Sequence, residues 1–217
     1  MTDQTLTHLY FLLDRSGSMH SIRTDTMDGF DAFIAEQRGA PGRCRVTLAR
    51  FDQEYDEVYA DRDLGDVPPL ELTPRGSTAL LDALGRLITT AGERLAALPE
   101  EQRPGTVVVG VMTDGLENAS REWSHPRIKT LIDQQTRDYG WQFLYLGADQ
   151  DAIEEGAKMG FAAEKSMTYS RGKARESMVH LSANVHAYRT AVVAGAAPAA
   201  AQELIDFKED QRADVAD

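Results

Sequence analysis

The 217-residue sequence contains one cysteine, Cys44, so no disulfide framework can form within the chain. Long apolar runs are also missing. No stretch approaches the ~20 apolar residues that span a bilayer. The run from Leu9 to Leu13, behind an N-terminus without Lys or Arg, is too short for a secretory leader. Together these absences lead us to expect a soluble cytoplasmic protein with no membrane association. Positive charge is scarce, with 23 Lys and Arg against 35 Asp and Glu and a net charge of -12. Such a balance repels phosphate backbones and anionic lipid, so nucleic acid is not an expected partner. Neither Gly-x-Gly-x-x-Gly nor Gly-x-x-x-x-Gly-Lys-Ser/Thr occurs, which removes the common nucleotide cradles. His8, His20, His125, His180 and His186 show no metal-ligand spacing, and a single cysteine argues against structural zinc.

What is present is an alternation of short apolar runs and longer amphipathic ones, the pattern of an α/β sheet. His8–Asp14 reads as a central parallel strand covered on both faces, and it stops in the turn-forming cluster Asp14-Arg-Ser-Gly-Ser-Met19. Met27, Phe30, Phe33 and Ile34 predict a helix ended by Gly39, Pro41 and Gly42. Strands over 44–51 and 55–60 follow as an antiparallel hairpin at a sheet edge. Asp61 to Pro74 reads as a loop with a short extended piece at Leu70–Leu72. The stripe Leu80, Leu81, Leu84, Leu87, Ile88, Ala91 predicts a helix stopped near Pro99. Thr106–Thr113 is the most β-prone segment and ends in Asp114-Gly115. A helix from Pro126 with Ser124 as N-cap, a strand over 141–147, a short helix over 152–159 and a weak strand over 165–170 complete the alternation. Met178, Leu181, Val185, Tyr188 and Val192 predict a closing helix.

The expected fold is therefore a doubly wound, Rossmann-like three-layer α/β sandwich with a mostly parallel sheet and one antiparallel edge strand. Residues 1–195 form its domain, and 196–217 read as an acidic, flexible tail. If the hairpin lies to one side of the first strand and the later strands to the other, the winding direction reverses between Asp14 and Asp114. Open α/β sheets bind ligands at the carboxyl ends of their strands at such a reversal.

Three segments thus meet at one crevice: Asp14-x-Ser16-x-Ser18, Thr78 ahead of the Leu-rich helix, and Asp114. Read singly, each has an ordinary explanation as a turn, an N-cap and a turn residue. All five side chains are short and oxygen-bearing, which suits a hard divalent cation that keeps some water. With few direct carboxylates the ion stays under-neutralised and seeks an anionic oxygen from outside the chain. Asp61-Arg-Asp63-Leu-Gly65 places its glycine one position early for a calcium loop and reads as a solvated loop. Arg171, Lys173 and Arg175 flank the first turn of the last helix, where an acidic neighbour would offset an unfavourable dipole position.

Asp14-Arg-Ser-Gly-Ser18, Thr78 in Gly-Ser-Thr and Asp114 in Thr-Asp-Gly resemble the metal-ion-dependent adhesion site of von Willebrand factor A domains, over roughly residues 8–170 in element order. The resemblance implies Mg2+ or Mn2+ held directly by Ser16, Ser18 and Thr78, with Asp14 and Asp114 ligating directly or through water. It implies that a Glu or Asp of a partner protein completes the shell. The protein would then be an adaptor of the bacterial cytoplasmic type, docking onto an ATPase, chelatase or stress-response assembly. The competing reading is a Mg2+-dependent phosphoryl-transfer enzyme using Asp14 and Asp114. Against it, Ser16 stands where a second carboxylate would be wanted, and no lysine lies near either aspartate turn in sequence.

Overall fold

The computed structural model describes residues 1–216. In chain order the elements are β1 (Asp3–Asp14), α1 (Arg23–Gln37), β2 (Arg43–Phe51), β3 (Tyr55–Asp63), α2 (Leu80–Ala97), β4 (Pro104–Thr113), α3 (His125–Tyr139), β5 (Gln142–Ala148), α4 (Ala152–Met159), β6 (Ser166–Tyr169), α5 (Ala174–Val193), α6 (Pro198–Ile205) and α7 (Glu209–Val215). Six strands form one sheet in the order β3-β2-β1-β4-β5-β6. Only β2 and β3 pair antiparallel; the other pairings are parallel. The expected α/β sandwich with an antiparallel edge strand is therefore the observed architecture.

Alternation along β1 divides two cores. Leu9, Phe11 and Leu13 face α1 and α5, whose Phe30, Phe33, Met178, Leu181 and Val185 complete one layer. Tyr10 and Leu12 face the other layer, built on α2, α3 and α4. A strand covered on both faces must be apolar throughout, which is why its sequence shows no polar alternation. Full burial of a Leu-sized side chain contributes roughly 1.5 to 3 kcal/mol, so the four buried leucines and Ile88 of α2 contribute on the order of 10 kcal/mol. Helices α1 and α5 pack closely because Gly29 has no side chain: a Cβ there would lie 3.0 Å from that of Met178.

The structure corrects two expectations and refines a third. Leu70 and Leu72 are buried but form no strand; Leu70 N–H donates to Asp31 Oδ1 at 2.8 Å, so the loop is pinned by side chains rather than by a ladder. Ser124 is the N-cap of α3, as expected, although its side chain makes no cap bond. The second correction concerns residues 196–217. Up to residue 216 the expected flexible tail is two docked helices, and Asp217 lies outside the described residues. Ala201, Ile205, Phe207 and Val215 are buried in the α1/α5 core. Phe207 N–H donates to Glu164 O at 2.8 Å, Ser170 N–H donates to Val215 O at 2.8 Å, and Lys165 Nζ meets Asp206 at 2.5 Å. The domain thus runs on through α7, which straps β6 and the turn that follows it.

Candidate metal centre

Because β1 and β4 are adjacent and parallel, with Leu13 opposite Met112, their following residues emerge at the same sheet edge. Asp14 is fully buried there, and Oδ1 accepts the Ser16 N–H at 2.6 Å, closing an Asx turn that aims the loop back over the strand end. The loop before α2 is laced to this turn, since Arg75 N–H donates to Arg15 O at 2.7 Å and Gly17 N–H to Gly76 O at 3.1 Å. Gly76 has φ +72°, the left-handed region that glycine enters without cost, and a Cβ there would run into Gln53.

Thr78 immediately precedes Ala79, the N-cap of α2, so it is not the cap that its sequence position allows. Its backbone is gripped by the loop after β4. Thr78 N–H donates to Asn118 Oδ1 at 3.0 Å, and Thr78 O accepts from Asn118 N–H at 3.0 Å and Ala119 N–H at 3.2 Å. The three loops that carry the five candidate residues therefore form one hydrogen-bonded unit.

The five residues converge. Ser18 Oγ donates to Asp114 Oδ1 at 2.6 Å, and the Ser16 and Ser18 hydroxyls lie 3.1 Å apart. Gly115 leaves the space into which Thr78 points: a Cβ on Gly115 would lie 3.1 Å from Thr78 Oγ1 and 3.5 Å from Ser18 Oγ. Asp14, Ser16, Thr78 and Asp114 are buried, and Ser18 is exposed at the mouth. Asp14 Oδ2 accepts from Thr113 Oγ1 at 2.6 Å, which leaves the carboxylate fixed on both oxygens.

Burial pushes the Asp14 carboxyl up to about 6, opposed by the hydrogen bonds from Thr113 and Ser16. Burial also raises Asp114, opposed by Ser18 and by the nearby Arg171 guanidinium. Asp114 Oδ2 is buried and accepts no hydrogen bond. Two desolvated carboxylates, one with a buried oxygen that accepts no hydrogen bond, beside three hydroxyls form a donor set that a small, hard cation fits. Among the described residues no group of three or more His, Cys, Asp or Glu side chains is placed to hold a metal; this candidate consists of two carboxylates and three hydroxyls.

Sequence reasoning missed four residues of this site. Thr113 binds Asp14 and was hidden as the last residue of a strand. Glu117 and Asn118 fasten the Asp114 loop to α2. Arg171 lies 3.5 Å from Asp114 Oδ2 and 2.8 Å from Asp149 Oδ2, so the acidic neighbours of the basic cluster are the candidate centre itself and the β5 loop. Away from the site, Asp61 and Asp63 pair with Arg45, His20 is exposed on a short turn, and Cys44 is buried.

A mostly parallel sheet wound in both directions, with five short oxygen-bearing side chains gathered at its reversal point, defines a class of doubly wound α/β domain. Within that class the chain has the von Willebrand factor A fold. It is similar to proximal thread matrix protein 1 from the mussel byssus, with 16% identity and a TM-score of 0.59, over 84% of this chain and 47% of that one. A von Willebrand factor type A protein from Catenulispora acidiphila matches with 16% identity and a TM-score of 0.53, over 83% of this chain and 43% of that one. The von Willebrand factor domain of the type V pili tip protein Mfa5 from Porphyromonas gingivalis matches with 10% identity and a TM-score of 0.56, over 82% of this chain and 94% of that domain. The chain spans about half the length of the first of these relatives. No family model matches the sequence, and no curated protein matches it. No helix among the described residues is long and apolar enough to cross a membrane.

Proposed function

We propose that this domain is a metal-dependent protein-binding module. Ser16, Ser18 and Thr78 hold Mg2+ or Mn2+ through their hydroxyls, with Asp14 and Asp114 balancing its charge directly or through water. When bound, the cation supplies a Lewis-acidic position for a carboxylate from a partner protein. The observation that carries this reading is the buried Asp114 Oδ2, which accepts no hydrogen bond, beside the cradle of Gly115, Thr78 and Ser18. Thr113 and the Ser16 N–H hold Asp14 in one rotamer, and the loop lacing fixes Thr78, so the oxygens are pre-organised and little order is lost on binding. The fold relatives support a protein partner: one is a pilus adhesin, SpaC from Lactobacillus rhamnosus GG. On this reading the protein is an adaptor rather than an enzyme. It works in the cytoplasm, and its partner is an assembly such as an ATPase or a stress-response complex that presents an acidic side chain.

The test is a Mn2+ titration followed by electron paramagnetic resonance of the free ion, on wild type, Ser16→Ala and Thr78→Ala, paired with a pull-down in Mg2+ and in chelator. Thr78→Ala keeps the backbone anchors to residues 118 and 119. We expect one Mn2+ site in wild type, weakened at least about tenfold in both variants, the size of one lost 1.4 kcal/mol interaction. A captured protein should be lost in chelator and with Thr78→Ala. Equal Mn2+ binding by all three proteins refutes the assignment.

A further inference from the structure

Arg171 stands in the short turn between β6 and α5, and the hydroxyl and carboxylate ligands do not account for it. Its guanidinium bridges two loops. Nε lies 2.8 Å from Asp149 Oδ2, while Nη2 lies 3.5 Å from Asp114 Oδ2 and donates to the Asp114 carbonyl at 3.3 Å. Among the described residues it is the one cation within 4.0 Å of Asp114. Its position is not left to a free side chain. Arg171 N–H donates to Asp149 Oδ1 at 3.3 Å, and the preceding Ser170 N–H is held by Val215 O of the C-terminal strap at 2.8 Å.

Asp149 holds its place at a cost. Its φ of 49° is one of two positive values among the described non-glycine residues, a conformation that side chains rarely adopt. Its N–H is fixed by Tyr169 O at 3.0 Å, which keeps the carboxylate over the guanidinium. The strained residue thus serves an ion pair with Arg171 on the rim of the candidate centre.

We propose that Arg171 is the resident counter-charge of the metal centre: it neutralises Asp114 in the absence of a divalent cation and competes with that cation for it. Asp149 draws the guanidinium partly off Asp114 and so keeps the site open to metal. The proposal rests on the metal reading of the same site. Its physical basis is that a cation and a guanidinium in contact with one buried carboxylate repel each other with little screening. The planar fork is needed because it reaches Asp114 and Asp149 together, which a lysine ammonium does not. Arg171 is therefore an affinity-setting residue, not a ligand.

The experiment is Mn2+ binding by the full chain, read by the resonance of free Mn2+ at fixed ionic strength, for wild type, Arg171→Gln, Arg171→Lys, Asp149→Asn and the double variant Arg171→Gln/Asp149→Asn. Asn tolerates positive φ, so Asp149→Asn removes the charge while keeping the backbone. Arg171→Gln is expected to bind Mn2+ about tenfold more tightly and to melt at lower temperature in chelator, because the buried Asp114 has lost its cation. Arg171→Lys should not reproduce the wild-type affinity, since the charge stays but cannot reach Asp114 and Asp149 together. Asp149→Asn should weaken binding severalfold alone and have little effect in the Arg171→Gln background.

Equal affinity of Arg171→Gln and wild type overturns the proposal. So does Arg171→Lys matching wild type while Arg171→Gln tightens, which would mean a distant field rather than a contact. The same holds if Asp149→Asn has an undiminished effect in the Arg171→Gln background. The metal reading fails separately, and takes this proposal with it, if neither wild type nor Arg171→Gln binds Mn2+.

Discussion

Glu117→Ala should destabilise the domain by about 2 to 3 kcal/mol, although Glu117 is neither buried in the core nor one of the candidate ligands. Its carboxylate accepts from Leu81 N–H at 2.9 Å, Ala119 N–H at 2.8 Å, and Ser120 N–H and Oγ, both at 2.7 Å. Leu81 lies in the first turn of α2, whose N-cap Ala79 has no side chain able to cap it, so Glu117 performs the capping from 36 residues away. Losing a cap costs about 1 kcal/mol, and losing a negative charge at the positive end of the helix dipole costs roughly 0.3 to 1 kcal/mol. The half-exposed loop donors turn to water, and their lost bonds add about 0.5 to 1 kcal/mol in total. In a chain of this size the sum lowers Tm by about 4 to 12 °C. Urea unfolding measures the change directly, with Glu117→Gln retaining about half of it because one acceptor oxygen remains. Hydrogen exchange adds a local readout: the Thr78 and Leu81 amides should exchange faster, since the same loop grips Thr78. A loss below about 0.5 kcal/mol, or equal losses for Ala and Gln, refutes the distant cap.

Phe207→Ala should cost about 3 kcal/mol in chemical unfolding, the price of an emptied core site. A free tail would give no change, and that result would remove α6 and α7 from the domain. Gly85→Ala brings a methyl group to 2.3 Å from the Trp123 ring. The overpacking is expected to outweigh the gain in helix propensity and to destabilise by about 1 to 2 kcal/mol, with a shift in tryptophan emission as the ring moves. His8 is buried and bonded to Thr47 Oγ1 at 2.9 Å, and desolvation pulls its pKa down to about 4, against the attraction of Asp61. Between pH 4 and pH 6.5 the unfolded chain binds this proton more readily than the native one. The neutral ring's contribution is therefore complete above pH 6.5 and falls away as pH drops toward 4, by up to about 3 kcal/mol. Wild type should lose stability more steeply than His8→Gln across that window, and parallel pH profiles would refute the assignment.

The sheet was legible because β1 and β4 are unbroken apolar runs ending in acidic turns, and because the hairpin signal at Asp52–Glu54 set an antiparallel edge. Asp14 and Asp114 were legible for the same reason, since topology alone brings the ends of their strands to one crevice, while Ser16, Ser18 and Thr78 were legible through the resemblance of their motifs. The C-terminal helices were not. At eight and seven residues they are too short to show a 3.6-residue stripe, and their few anchors, Ile205, Phe207 and Val215, are spread among alanines and acids. Arg171 was legible as part of a basic cluster, but its pairing with Asp149 was not, because it joins loops 22 residues apart, which no local pattern records. Glu117 was equally silent, since nothing in its sequence neighbourhood marks the distant helix end it serves.

The sheet order has a consequence for how the chain leaves the ribosome. β1 is flanked by β2 on one edge, but the other edge belongs to β4, and Asp14 and Thr113 are 99 positions apart. Once β2 and β3 have emerged, β1, with its apolar run Leu9–Leu13, keeps an open hydrogen-bonding edge until β4 follows. At about 5 to 20 residues per second that interval is roughly 2.5 to 10 s. During that time the nascent half-sheet is a template for any extended apolar segment, its own neighbours on a polysome included. Yield from cell-free synthesis should therefore depend on chaperones that cover strand edges more than on the stability of the finished domain.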